Sequence, residues 1–507
     1  MKIFTIPQPI TPKKLLFIRQ HKAVLRLFSY PALTTLSFLS LAGCMQDTLP
    51  NLVQPLPLHW QHLDSVEKFP SPDLKGWWKA FNAPDLDSLV DESLEKNLTL
   101  AAAREHIQAA RIISHKNYSN FLPDLHFRTN DVTGPNATTS YFQADFDSTW
   151  ELGLFGKKKA SKQVVDGQLA DVEAQAQMAR VTLVAEVVRT WIQLRTAQQE
   201  VKLLNLLIIQ SKHQYDLTVS RIKLGLSANS LLLASKTTIA QQIQMQQAQQ
   251  LEIEKALQEL ALLQGLTTPD QSWAKETTQP VFGEFSIRTL PTDVIRIRPD
   301  IQKAQANVLQ AAGQFGLARA ARYPSVNISA SFIYSLVIAG QFVFHAFDDN
   351  TVVSLGPVID IPLFDWGLRK SAADARASEL KSATLQYRQT VLEAVEEVES
   401  ALAAVNASKQ QIDQQYEVIK TANSTINTRQ TLINLGLSSP LEGLEEQQSA
   451  LKEQLKLLDL QKDHDLAYVA VYKALGGAPL DSYQSSTESL DHEEILTSKL
   501  KQKQGGY

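Results

Sequence analysis

"LGLS", at residues 224–227 and again at 435–438, interrupts two very long stretches that are otherwise poor in Gly and Pro. Outward from these two turns the same landmarks return in the same order. "VAEV" at 184–187 pairs with "VEEV" at 395–398, Gly225 with Gly436, and Gly265 in "LLQGL" with Gly476 in "KALGG". All three pairs share one offset, an agreement that chance does not readily supply. Toward the N-terminus, Pro123 in "FLPDL" pairs with Pro324 in "RYPSV", and "WELGLFG" at 150–156 with "IDIPLFDWG" at 359–367. Two copies are too few for a solenoid. The chain is a duplicated unit whose second copy is longer in its β-prone region.

The stretches around LGLS read as long helices. Ala373, Ala377, Leu380, Thr384, Tyr387, Val391, Ala394, Val398, Ala401 and Val405 follow alternating steps of four and three, a sustained heptad seam that argues for coiled-coil packing. Val165, Leu169, Val172, Ala176, Ala179 and Leu183 do the same in the first copy. A helix of about 65 residues is roughly 100 Å long, beyond the range of globular helices. The pattern predicts helices from Asp85 to about Asn120, Lys157 to about Lys223, Asn229 to Gln264, Asp300 to about Arg322, onward from the second β-prone stretch to about Asn434, and Leu441 to Leu475. Gly225 and Gly436 suit helix C-termini, where a left-handed backbone costs glycine little.

Between the first and second helices of each copy lies a β-prone stretch, 125–155 and 325–364. "SVNISASFI" (325–333) sets Val326, Ile328 and Ala330 on one face and Asn327, Ser329 and Ser331 on the other. "TVVSLGPVIDI" (351–361) has the length a tilted transmembrane strand requires; "DLHFRTN" (124–130) and "YFQADFDSTW" (141–150) are weaker matches. Alternation alone leaves two readings: a sheet packed on the helices, or spanning strands. Four strands per chain are too few to close a barrel, and open edges are not tolerated in lipid, so spanning strands would have to be pooled among several chains. The aromatics Trp150, Phe155, Tyr323, Phe364 and Trp366 fit either an interfacial belt or packing where strand meets helix.

A net charge of −4 with mixed signs provides no basic footprint for nucleic acid. The single cysteine excludes disulfides and cysteine-based metal sites in the mature chain. Cys44 follows a basic leader (Lys13, Lys14, Arg19, Lys22, Arg26) and an uncharged run, and "LAGC" at 41–44 matches the bacterial lipobox. The run is too short, and too interrupted, to span comfortably. Residues 1–43 are therefore expected to be a lipoprotein signal peptide and Cys44 the lipidated (palmitoylated) first residue. Met45 follows in place of the aspartate that retains many bacterial lipoproteins at the inner membrane, which favours the outer membrane. The Pro-rich 44–76 reads as a lipid-anchored linker, 77–265 and 299–479 as the two repeats, 266–298 as their connection and 480–507 as a polar tail. No HExxH, G-x-S-x-G, Walker A or dinucleotide fingerprint occurs, so neither an enzyme, a cofactor nor a metal site is expected.

"WWKAFNAPDLDSLVDESLEKNLTLAAAREHIQAAR" (77–111), "WELGLFGKKK" (150–159), "RPDIQKAQANVLQAAGQFGLARAARYPSV" (298–326) and "VYKALGGAP" (471–479) resemble the outer-membrane factor lipoproteins, the TolC-like channels of tripartite efflux systems. The resemblance implies an α+β membrane protein: a homotrimer with four transmembrane strands per chain in one shared β-barrel and long periplasmic coiled-coil helices. It implies a passive gated exit duct in outer-membrane lipid, fed by an inner-membrane pump through a periplasmic adaptor. The adaptor would meet the hairpin tips, Leu224, Gly225, Leu226, Ser227 and Leu435, Gly436, Leu437, Ser438. Glu442 and Glu445 share a helix face where such channels place paired aspartates that narrow the periplasmic end; three chains would give a ring of six carboxylates. The first copy has Leu231 and Ala234 there. Two other functions fit parts of the pattern: a duct for type I protein secretion, and a lipid-anchored periplasmic coiled-coil scaffold.

Overall fold

The computed structural model describes residues 49–57, 60–61, 74–133, 139–275, 297–339, 342–344 and 351–477. Cys44, its leader, residues 276–296 of the connection and the tail 480–507 lie outside the described residues. The chain divides into two compact units, one built on Tyr118–Ala160 and Phe315–Ala373, the other on Pro50–Asn117, Ser161–Gln314 and the chain from Asp374 onward.

The helices are α1 (Pro84–Lys96), α2 (Leu98–Lys116), α3 (Lys157–Lys223), α4 (Asn229–Leu263), α5 (Pro299–Ala320), α6 (Leu368–Asn434) and α7 (Pro440–Ala474). Both ends of α3 and of α4 return as the ends of α6 and α7 at the offset that relates Gly225 to Gly436. The start of α5 follows that of α2 at a shorter offset, the one that relates Pro123 to Pro324. The offset therefore grows among the strands, where the second copy carries its extra residues. Along α6 the heptad seam is buried: Tyr387, Val391, Ala394, Val398, Ala401 and Val405 all face inward.

The run expected as one helix from Asp85 to Asn120 is broken at Asn97, which is extended (φ −63°, ψ 123°), and ends in a 3-10 turn, Asn117–Phe121. The Asn97 side chain accepts from the Leu100 amide (2.9 Å), capping α2, and donates to the Leu263 carbonyl (2.8 Å), closing α4. Arg298 is the matching residue of the second copy and closes α7 in the same way, donating to the Ala474 carbonyl at 2.5 Å. Its guanidinium also forks onto Asp300 (3.0 and 2.7 Å) and reaches Glu397 (2.7 Å), which gives "RPD" a structural purpose.

The main core of the helical unit joins Trp77, Phe81, Leu86, Trp191, Leu260 and Tyr472 with their neighbours. Trp77 stacks on Tyr472 with ring centroids 4.9 Å apart, so both repeats contribute to one core. Leu52 and Leu56 pack against the Ile301, Tyr387 and Val391 cluster, Trp60 is buried, and the Gln61 amide donates to Glu399 (2.8 Å). These residues of the Pro-rich segment lie along the helices.

The other unit holds one antiparallel sheet of β1 (His126–Thr133), β2 (Thr139–Glu151), β3 (Ser325–Ala339), β4 (Phe342–Phe344) and β5 (Thr351–Asp360). Four strands were expected, and among the described residues there are five, because the last residues of β3 pair with the three-residue β4. β2 pairs β3 across the repeats over its whole length, and β1 and β5 each have a single neighbour. Among the described residues the sheet is open at both edges. Among the described residues no helix is long and apolar enough to cross a membrane.

Candidate functional site

The two hairpin tips share one backbone. At the first, the Gly225 amide donates to the Ile222 carbonyl (2.9 Å) and the Leu226 amide to Arg221 (2.8 Å); at the second, Gly436 donates to Ile433 (3.0 Å) and Leu437 to Leu432 (2.8 Å). This is the Schellman pair of bonds, closing the last carbonyls of α3 and α6. It requires a left-handed residue, and Gly225 and Gly436 have φ of 73° and 71°. Both glycines face open space. Leu224, Leu226, Leu435 and Leu437 are 64–73% exposed, so each tip presents two leucines with nothing to cover them.

The chemistry beside the tips differs. At the second, Ser439 caps α7 by accepting from the Leu441 amide (3.2 Å), ahead of Pro440. Arg429 of α6 reaches across to Glu442 (3.0 Å) and Glu446 (3.4 Å) of α7. Glu442 also accepts from the Ser438 hydroxyl. That hydroxyl and then the nearby Arg429 and Arg221 charges hold the Glu442 carboxyl below its ordinary value. Glu445 turns instead toward the first repeat and accepts from the Gln214 amide of α3 (3.4 Å). Gln214 accepts from Gln448 (2.8 Å), and Gln210 donates to Gln447 (3.4 Å). The seam between α3 and α7 is thus a ladder of amides, with one acid in it. At the first tip, Thr218 stands where Arg429 stands, Leu231 replaces Glu442, and Ala228 offers no side-chain cap.

Glu442 and Glu445 therefore lie on one end of α7 but have different partners. Arg429, Glu446 and Gln214 join them as residues the sequence did not single out. The link from 429 to 442 crosses a turn and follows no helical period. The signal was available in the repeat: an arginine opposite a threonine at matched positions.

The sheet is two-faced. Phe127, Phe146, Phe332 and Val353 lie in register across β1, β2, β3 and β5, and Phe127–Phe146 are 4.9 Å and Phe146–Phe332 6.5 Å apart. Leu355, Ile359 and Trp150 continue that apolar face. The reverse carries Arg128, Asp145, Asp147, Asn327, Ser329, Ser331 and Ser354. The aromatic residues at the strand–helix turns divide into a packed set and an exposed set. Phe155 stacks on Tyr323 (5.2 Å) and the Trp150 indole donates to the Phe121 carbonyl (3.0 Å), whereas Phe364 and Trp366 touch each other and are largely exposed.

The model of the outer membrane efflux protein family matches residues 89–266 and 290–477, once in each repeat and over well more than half of the chain. The chain belongs to that family. Among relatives of this efflux protein, Nodulation protein T of Rhizobium leguminosarum bv. viciae is 25% identical over 410 residues, covering 78% of this chain and 84% of the relative. The pyoverdine export outer membrane protein OpmQ of Pseudomonas aeruginosa is 24% identical, with 86% and 93% covered. The solved outer-membrane channel OprN superposes with a TM-score of 0.73 at 23% identity, covering 85% of this chain and 99% of that one. The fold is that of the TolC-like channels. By its family this chain is an outer-membrane efflux protein, with the fold of those channels.

Proposed function

We propose that three copies of this chain form the exit duct, sharing one barrel to which each contributes β1, β2, β3 and β5. The observation that carries this reading is a sheet with an apolar face, a polar face and two open edges. One sheet of this width cannot close, and unpaired edges are not tolerated in hydrocarbon. Pooling three copies removes every edge, with the phenylalanine face toward lipid and the polar face lining water. Cys44 adds a lipid anchor on the same membrane.

The hairpin tips are the seats for the periplasmic adaptor. Each offers two exposed leucines on a rigid turn, which suits an apolar-anchored contact. At the same end, Glu442, Glu445 and Glu446 concentrate negative charge, offset in part by Arg429. Three such sets around an axis repel one another, attract cations and raise the barrier to anions. Opening is a sliding or rotation of the hairpins that draws the acids apart, biased by adaptor contacts. The duct is passive, and the inner-membrane pump supplies the energy.

The adaptor assignment is tested by replacing Leu224, Leu226, Leu435 and Leu437 with Ser together. Efflux is measured in cells that carry the cognate adaptor and pump and depend on this channel. Loss of efflux with unchanged protein level, oligomeric mass and bilayer conductance is expected. Undiminished efflux would remove the tips from the contact.

A further inference from the structure

The internal repeat fixes more than the number of strands. Adding 201 to positions on β1 and 211 to positions on β2 turns every pair of the first hairpin into a pair of the second. His126↔Asp147 becomes Asn327↔Val358, Phe127↔Phe146 becomes Ile328↔Pro357, and Arg128↔Asp145 becomes Ser329↔Gly356. The two hairpins have one register. The seam between them, β2 against β3, is also known residue by residue. A second copy closing on the free edges would make the same kind of seam, β5 of one chain against β1 of the next, in place of β2 against β3.

Carrying the β2–β3 register through those offsets, we infer that the β5 edge of one copy pairs antiparallel with the β1 edge of another in a single register, with Asp360 opposite Arg128 and Ile361 opposite Phe127. This inference rests on the shared-barrel reading above and adds the register to it. The template pairs are Thr149↔Ser329 and Trp150↔Ile328. One step farther, the Leu152 amide donates to the Val326 carbonyl at 3.3 Å, which converts to Leu363 and Leu125 of a second copy.

The side chains agree with this register on both faces. Leu125, Phe127, Ile361 and Leu363 are exposed in the single chain, and the register sets them together on the apolar face. On the polar face it sets the guanidinium of Arg128 opposite the carboxylate of Asp360. Arg128 is 60% exposed, with one long contact to Asp147 at 3.4 Å; among the described residues Asp360 has no ionic partner. Sliding by one residue would turn Asp360 and Ile361 to the wrong faces. Sliding by two would separate the charges. The same operation converts the Phe155–Tyr323 stack into Trp366 over Leu122 of the next copy, and both of those residues are exposed here.

The test uses the full-length lipoprotein in outer membranes, where Cys44 is the only native cysteine. Three double variants are oxidised mildly and resolved by non-reducing electrophoresis: Arg128→Cys with Asp360→Cys, His126→Cys with Asp360→Cys, and Asn130→Cys with Asp360→Cys. Opposed residues in a ladder sit within disulfide range, while displaced ones lie about 7–8 Å apart at best, so roughly tenfold more inter-chain cross-link is expected for the first variant than for either other. Unoxidised samples are weighed by native mass spectrometry to record the assembly independently. Preferential cross-linking of a displaced variant, with the trimer mass present, would overturn the register and leave the shared barrel standing. Monomeric mass and no inter-chain cross-link in any variant would overturn both.

Discussion

The two hairpin tips have the same backbone and different chemistry. α3–α4 and α6–α7 turn through identical Schellman bonds at the matched glycines Gly225 and Gly436, with the same exposed leucines. Only the second tip carries a cap at Ser439, a cation bridging two acids, and a close helix approach, where a Cβ on Gly443 would come within 2.7 Å of Ile433 Cδ1. In the proposed duct the shared part would meet the adaptor and the differing part would narrow the pore.

The two repeats also differ farther along the helices. Arg298 and Asn97 occupy matched positions and close matched helix ends, yet Arg298 is a buried cation holding two acids and a carbonyl. Arg298→Ala is expected to cost about 3 kcal/mol and Asn97→Ala about 1 kcal/mol, read as the drop in thermal melting of the detergent-extracted protein. Equal losses would show that the added charge network contributes nothing.

Next in size is a pH effect whose largest contributor lies in the second copy. Asp465 of α7 is buried, and burial pushes its carboxyl from 3.8 up to about 8; its counterpart in α4, Glu254, is exposed. A carboxyl that binds its proton more tightly when folded stabilises the fold while protonated. That contribution is whole below the ordinary aspartate value and is lost as pH rises toward 8. Glu200 of α3, raised to about 7 by burial and by Asp459 beside it, acts with the same sign. Melting temperature should therefore fall between about pH 5 and pH 8. Asp465→Asn should flatten that slope and raise stability at pH 8 by about 2 kcal/mol; Glu254→Gln should leave the slope alone.

At the tips themselves, Arg429→Ala should cost only about 1 kcal/mol, because the pair is partly exposed. It should nevertheless increase conductance and cation selectivity by releasing α6 from α7, while Thr218→Ala at the matched position changes neither. Smallest are the turn glycines. Gly225→Ala and Gly436→Ala each force a left-handed alanine into open space and should cost about 1 kcal/mol apiece. Unequal costs would show that the tips are less alike than their backbones.

Much of this was legible because it is local or repeated. Helix ends at Lys223 and Asn434 follow from a glycine after a heptad run, and the duplication from a fixed spacing. Asn97 ends a helix that periodicity alone carries through, since the apolar pattern resumes in the next helix. Its cap on Leu100 was readable from an asparagine ahead of "LTLAAAR", but its bond to Leu263 was not. Contacts made between helices escape a linear reading: Arg429 to Glu442 spans a turn, and Gln214 to Glu445 joins the two repeats. The strands alternate too weakly to choose between packed and spanning sheets. The faces of 325–333 were readable, but one apolar face shared across the sheet, and its open edges, emerge only when register aligns Phe127, Phe146 and Phe332. The sequence also could not divide the aromatics, of which Phe155 is packed and Trp366 is bare.

In the proposed duct the second hairpin forms an acidic constriction at one end of a water-filled passage. Its most direct test is single-channel conductance in planar bilayers, wild type against the Glu442→Ala, Glu445→Ala double variant, both verified as assembled. A small cation-selective conductance in the wild type, clearly larger and less selective in the variant, is the predicted result. The same conductance and selectivity in both would contradict it.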